Sequence, residues 1–206
     1  MLKSILAAFV VTLALGQSAQ AITQLPPGVF AGAPDYKLAP AGTYAVDPGH
    51  TAVIAKVSHI GYSLSVFRFD KVSGTLHWNP KLPIGSSLSV SVDTASISTP
   101  VLGFAATLAG KEWLNSAAFP QASFVSTHVR QIDSTHGLVE GQFTLLGKTA
   151  PLTFKVELIG AGKGFMGHPR IGMEAVARIK PVTFGLSPML GKSILLMIDA
   201  EFAQSP

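Results

Sequence analysis

The chain of 206 residues contains no cysteine, which excludes a disulfide framework, a thiolate metal site and a cysteine nucleophile. Charged residues make up only 13% of it, too few for a disordered polyelectrolyte. Lysine and arginine form no cluster: Lys56, Arg68, Lys71, Lys148, Lys155 and Lys163 are scattered singly, so a nucleic-acid partner is not expected. A serine-hydrolase elbow of the G-x-S-x-G form is absent, and Gly85-Ser86-Ser87 does not meet the pattern. No apolar run reaches the ~20 residues that a membrane-spanning helix requires.

What is present begins with a leader. Residues 1–21 open with Lys3, continue as the apolar run from Ile5 to Leu15, and end in Gly16-Gln17-Ser18-Ala19-Gln20-Ala21, the small-x-small arrangement that a signal peptidase accepts. Cleavage is expected after Ala21, which leaves an exported chain, periplasmic or secreted. Much of the mean hydropathy of +0.42 resides in this segment. Losing Lys3 lowers the formal charge from +4 to +3, a modest excess. The missing cysteine suits an oxidising compartment.

Residues 22–41 hold Pro26-Pro27-Gly28, Gly32, Pro34 and Pro40 with little periodicity and read as an extended N-terminal arm. Residues 42–206 then form one domain, the prior for a chain of this length. From Thr51 to Ser58, Val53, Ala55 and Val57 alternate with Lys56 and Ser58, the period of a half-buried strand. Leu76 and Trp78, then Leu88, Val90 and Val92, repeat the pattern. So do Leu152 to Leu158, Met173 to Ile179, and Ile194 to Phe202. Gly147-Lys148 marks a hairpin turn after Phe143 and Leu145. Between Pro100 and Leu114 the apolar residues Val101, Phe104, Ala105, Leu108 and Trp113 recur at three and four, which predicts a short helix or a pair of helical turns, because Gly103 and Gly110 within the stretch disfavour a continuous one. About eight strands with one helical insertion make an antiparallel sheet that must cover its apolar face. Periodicity leaves two solutions open, a sandwich and a closed barrel.

Few constellations carry chemistry. Most of the eleven carboxylates fall in turns or on wet strand faces. Gly160-Ala161-Gly162-Lys163-Gly164 lacks the ending of a phosphate loop and reads as a flexible hairpin connection. His50 and His59 are the histidine pair to weigh for a metal, but nine residues put them on opposite faces of an unbulged strand, so no metal site is expected. His59 is in phase with Val53, Ala55 and Val57 and reads as a buried or pocket-lining histidine.

Three blocks are more specific. They are Tyr44-Ala-Val-Asp47-Pro-Gly-His50-Thr51, Lys56-Val-Ser-His59-Ile-Gly61-Tyr-Ser63, and Phe69-Asp70-Lys71-Val-Ser-Gly74-Thr-Leu76. Later blocks follow in order: Val92 to Thr99, Trp113-Leu114 with Phe119-Pro120 and Phe124, Gly141 to Leu145 with Gly147 and Thr149, and Phe184-Gly185-Leu186. Together they resemble the YceI-like family of exported lipid-binding proteins over nearly the whole mature domain. The resemblance implies an all-β fold, a lipocalin-like antiparallel β-barrel of about eight strands with a short helical insertion. It also implies an isoprenoid lipid, a polyprenyl lipid or the tail of a quinone, as ligand in place of a cofactor, and no enzymatic activity.

On that reading the lumen residues are Val53, Ala55, Val57, His59, Phe69, Leu76, Trp78, Val90, Phe124, Phe143, Phe154, Val156, Met173, Ala175 and Ile198. Five positions depart from the family pattern, namely Phe67, Thr107, Glu112, Leu146 and Pro181; several replace a polar group with an apolar one and predict a more apolar or rearranged pocket mouth. The alternative is a secreted interaction or inhibitor module with a packed core and no lipid, using the arm or the Leu186–Leu190 loop to contact a protein. Transient membrane contact, and a homodimer through an edge strand or the arm, are both compatible with the sequence.

Overall fold

Alternating residues close into a ring of strands in the computed structural model, which describes residues 25–164 and 166–205. The leader expected at 1–21 lies outside the described residues. The strands are β1 (Gly42–Val46), β2 (Ala52–His59), β3 (Ser63–Phe69), β4 (Val72–Trp78), β5 (Ser87–Asp93), β6 (Ile97–Ser98), β7 (Gln121–Gln131), β8 (His136–Leu145), β9 (Lys148–Gly162), β10 (Arg170–Ile179) and β11 (Ile194–Gln204). The helix α1 spans Phe104–Ala109. Neighbours run β1-β4-β5-β7-β8-β9-β10-β11, and β11 pairs back onto β1, which closes an eight-stranded antiparallel barrel. Of the two solutions that periodicity leaves open, the barrel is the one realised, and it satisfies every backbone edge in the ring.

One strand of the wall is broken. β1 and β2 both pair with β11, Tyr44–Val46 against 202–204 and Ala52–Lys56 against 195–199, with a 3-10 turn at Pro48–His50 between them. Pro48 fixes the first residue of that turn, and the Asp47 carboxylate accepts the Gly49 N–H at 2.9 Å to cap it. The upper half, β2, leads to β3 and then to the two-residue β6, which has no further strand partner among the described residues. Residues 99–120, with α1 among them, cover this side of the barrel. Gly103 at a φ of 77° and Gly110 bound the helix, and neither end has a side-chain cap, so its six residues are held by Leu108, which is buried.

The two ends of the barrel differ. At one end the arm returns across the opening: Ala33 exchanges both backbone hydrogen bonds with Ala161 at 3.0 and 2.8 Å, and Ala39 is fully buried. Gly160–Gly162, expected as a flexible connection, instead extends β9 and pairs with β10. A Cβ on Gly160 would stand 3.4 Å from the Gly32 backbone, ordinary van der Waals contact, so the arm packs directly on this stretch of β9.

At the other end, a chain of contacts circles the opening. Phe67 of β3 meets Phe104 of α1 with ring centroids 6.3 Å apart, and the Leu114 N–H donates to the Leu108 carbonyl at 3.0 Å. Phe119 lies against Gly147, Lys148 against Gly185, and Gly191 against Ser58, which pairs with Leu64 back on β3.

Candidate functional site: an apolar lumen

Inward-facing residues of the ring enclose a cavity. Its volume is about 190 Å³ measured as space open to atom centres, and one water needs roughly 10–15 Å³ on that measure, so on the order of a dozen carbon-sized groups fit. Of its 34 lining residues only Thr51, Thr94 and Ser123 carry a hydroxyl, and none is charged. Two of these hydroxyls are spent on the fold: Thr94 donates to the Phe119 carbonyl at 2.8 Å, and Thr51 accepts the Glu201 N–H at 3.2 Å. Aromatic edges stiffen the wall, with Phe124 against Phe154 at 5.0 Å and Phe143 against Phe184 at 5.2 Å, both T-shaped.

The structure distributes the fifteen residues read as lumen from sequence as follows. Val53, Ala55, Val57, Phe69, Val90, Phe124, Phe143, Phe154, Val156, Met173, Ala175 and Ile198 line the cavity. Leu76 and Trp78 keep the inward parity of β4 but join the core cluster of the arm end, below the cavity floor. His59 is exposed. Parity carries a side chain inward only while its strand is part of the wall, and His59 is the last residue of β2.

Other lining residues come from outside those strands. Leu108, Trp113 and Leu114 of the helical segment and Leu186 and Leu190 of the connection between β10 and β11 close the helix end. The three-and-four spacing of 101–114 was the signal for Leu108 and Trp113, since such a stripe needs an apolar surface to cover. Among the positions that depart from the family pattern, Phe67 lines the cavity and Leu146 packs against the surrounding core. Thr107 and Glu112 are exposed, and Pro181 is wholly buried at the start of a 3-10 turn.

Titratable groups gather outside the barrel, at the arm end. The Arg170 guanidinium donates to Asp47 at 2.6 Å and to Glu201, and His50 stands 3.1 Å from Asp47. Arg170, and less strongly His50 and the Gly49 N–H, hold the Asp47 carboxyl at about 2, below its ordinary 3.8, against the opposing effect of burial. Asp47, His50 and Glu201 are close enough to share a cation, but the guanidinium already supplies the positive charge. His59, the other member of the weighed histidine pair, sits at the far end of β2 and joins no such group. Tyr44, fully buried beneath the arm, donates its hydroxyl to the Pro40 carbonyl at 2.8 Å, and burial pushes the phenol up to about 12.

A family model for the YceI-like domain matches residues 44–202, the span of the barrel. The chain belongs to the YceI-like family. Protein YceI of Escherichia coli O157:H7 is 33% identical over 175 residues, covering 84% of this chain and 88% of that one. Among solved structures, BcnA of Burkholderia cenocepacia superposes with a TM-score of 0.68 at 22% identity, over 76% of this chain and 98% of the other. A polyisoprenoid binding domain from Saccharophagus degradans superposes with a TM-score of 0.59 at 13% identity, over 79% and 98% of the two chains. These structures share the fold, and the YceI-like barrel is the frame on which the lumen above is built.

Proposed function

We propose that the protein is an exported, non-enzymatic carrier or scavenger that holds an isoprenoid lipid, a polyprenyl lipid or a quinone tail, in the barrel lumen. One observation carries the reading: a cavity walled almost wholly by hydrocarbon, with no ionisable group among the described residues that line it. Such a tube selects for a flexible apolar chain. About a dozen buried CH₂-sized groups at ~0.8 kcal/mol each supply on the order of 10 kcal/mol, the same order as the cost of association, so retention rests on how fully an apolar chain fills the cavity. General acid–base or nucleophilic catalysis needs a titratable group at the reacting atom, and the wall offers none. Membership of the YceI-like family and a structural neighbour described as polyisoprenoid-binding support the same ligand class. The packed interaction module would require a filled interior, which the cavity disfavours.

Mass spectrometry of organic extracts from natively purified protein tests the proposal. A stoichiometric prenyl lipid is expected, and added quinone should bind the stripped protein. A protein that is free of lipid and refuses quinone would overturn it. Ala175→Phe sharpens the test, because Ala175 faces the lumen between Val156 and Ile198. A ring there occupies space the chain needs, so quinone affinity should fall at least tenfold, while the larger side chain should cost no more than about 1–3 kcal/mol of stability and leave the barrel folded.

A further inference from the structure

Among the described residues the four most exposed large apolar side chains, Leu102, Tyr62, Met189 and Ile60, range from full exposure down to 75%, and all four lie at the helix end. Tyr62 and Ile60 form the tip of the β2–β3 hairpin, Leu102 precedes α1, and Met189 crowns the 3-10 turn Pro188–Leu190. The contacts that circle the opening place these three loops around one rim. Isolated exposed apolar residues are ordinary, but a ring of the most exposed ones on a single rim is a surface in want of an apolar partner.

The hairpin tip adds a second observation. Ile60 adopts a φ of 53° and Gly61 a φ of 83°, a turn in which asparagine or glycine fits freely and a β-branched residue is strained. Solvent gives no reason for isoleucine at that place. Backbone strain at an exposed apolar tip points to a use for its side chain.

Charge identifies the partner. Lys111, Lys148, Arg178, Lys180 and Lys192 are exposed in the elements at this end, and among the described residues Glu112 is the one carboxylate in those segments. Two further carboxylates near this end are already paired with cations, Asp70 with Arg68 at 2.6 Å and Asp93 with Lys71 at 3.7 Å. The arm end by contrast balances Lys37, Lys81, Arg130, Lys163 and Arg170 against Asp35, Asp47, Asp133, Glu157 and Glu201, so the excess of positive charge lies at the helix end. Apolar tips within a cationic collar match an anionic lipid bilayer, whose surface attracts the lysines and whose acyl region accepts the tips. The rim is also continuous with the lumen, whose helix-end wall is formed by the half-buried Trp113, Leu114 and Leu190.

We infer that the helix end of the barrel docks on an anionic bilayer, with Ile60, Tyr62, Leu102 and Met189 entering the interface and the surrounding lysines holding the headgroups. This deepens the carrier reading, since a prenyl chain resides in a bilayer and would pass through the docked rim.

Co-flotation of the purified protein with vesicles tests the docking, using phosphatidylcholine alone and phosphatidylcholine with one quarter phosphatidylglycerol. Binding to the anionic vesicles is expected, at least tenfold weaker on neutral vesicles and at least fivefold weaker in 0.5 M salt. The double variant Leu102→Ser, Met189→Ser, whose positions lie outside the lumen, should lose binding at least tenfold while its thermal midpoint and its uptake of a soluble short-chain prenol stay unchanged. The triple variant Lys111→Glu, Lys180→Glu, Lys192→Glu should lose the preference for anionic vesicles. No vesicle binding, or binding untouched by these variants, overturns the docking. Self-association through the rim that the double variant abolishes, without vesicle binding, overturns it in favour of a second copy. Vesicle binding by a protein that takes up no prenol sustains the docking and sinks the carrier reading. Prenol uptake without vesicle binding does the reverse.

Discussion

The arm end and the helix end of this barrel face the same problem, the opening at the end of a ring of strands, and solve it differently. At the arm end Tyr44, Ile171 and Ala39 are fully buried, the arm is stitched to β9 by paired backbone hydrogen bonds, and Arg170 ties Asp47 to Glu201 on the outside. At the helix end a six-residue helix without side-chain caps, two 3-10 turns and a hairpin meet over half-buried leucines. Stability concentrates where burial and hydrogen bonding are complete, and opening is easiest where they are sparse. The barrel is firmly closed at the arm end and more loosely packed at the helix end.

The largest expected effect breaks the closed end. Ile171→Ala removes a wholly buried side chain from the core over which the arm packs and should cost about 2–5 kcal/mol in denaturant unfolding. Leu114→Ala at the mouth, half-buried beside an existing cavity, should cost less than half as much as Ile171→Ala in the same measurement. Equal losses would erase the distinction between the ends.

Next comes the ion cluster. Arg170→Ala leaves two neighbouring carboxylates without their shared donor and should cost about 1–3 kcal/mol at neutral pH. The acid limb tells whether Arg170 is the cause of the low Asp47 value. Asp47 is held at about 2 in the fold against 3.8 in the free side chain. Its stabilising contribution is therefore complete above about pH 4 and is lost as pH falls through 2. In Arg170→Ala the Asp47 carboxyl should titrate nearer its ordinary value, so the acid-unfolding midpoint, followed by circular dichroism, should move upward. An unmoved midpoint would assign the acid sensitivity to other groups, Asp133 among them, which backbone N–H groups of Thr135 and His136 also hold at about 2. On the alkaline side, Tyr44 ionises at about 12 in the fold but near 10 when unfolded. Ionisation thus favours the unfolded chain, and stability should decline above pH 10, an effect that Tyr44→Phe removes.

The wall was more legible than the ends, and the reason is physical. β2, β5, β10 and β11 announce themselves because an inward apolar face alternates with a wet outer one, the pattern that a half-buried strand imposes. β3 defeats that reading. Its inward residues include Phe67 and Phe69, but its outward residues include Leu64 and Val66, which are exposed, so the expected contrast between faces vanishes. β7 is obscured by a register shift between Ser126 and His128, which flips parity partway along the strand. The same limits govern the candidate site. Alternation located the staves of the lumen, but it cannot say where along a stave the cavity ends, so Leu76, Trp78 and His59 share the parity of lining residues without lining. Nor does a strand period reveal a lid: Leu108, Trp113 and Leu114 belong to a helical segment whose apolar stripe showed that something is covered, without showing what.

The smallest expected effect is also the one that sets the two ends against each other, because it should raise stability. Ile60→Asn places a residue that tolerates a left-handed backbone at the φ of 53° now occupied by isoleucine, in front of Gly61. Relief of the backbone strain should add about 1 kcal/mol to the unfolding free energy, since a residue with a branched Cβ is disfavoured in that region by roughly 1–2 kcal/mol. No buried contact is lost, as Ile60 is three-quarters exposed. Were the hairpin tip merely a turn, this replacement would be favourable and without consequence. On a rim that enters a bilayer, the same replacement should weaken flotation with anionic vesicles severalfold while melting higher. A variant that melts higher and floats as well as the parent would confine the role of Ile60 to the turn and leave docking to Leu102, Tyr62 and Met189. One that melts lower would place Ile60 in the packing of the mouth, and the difference between the two ends would be smaller than their burial suggests.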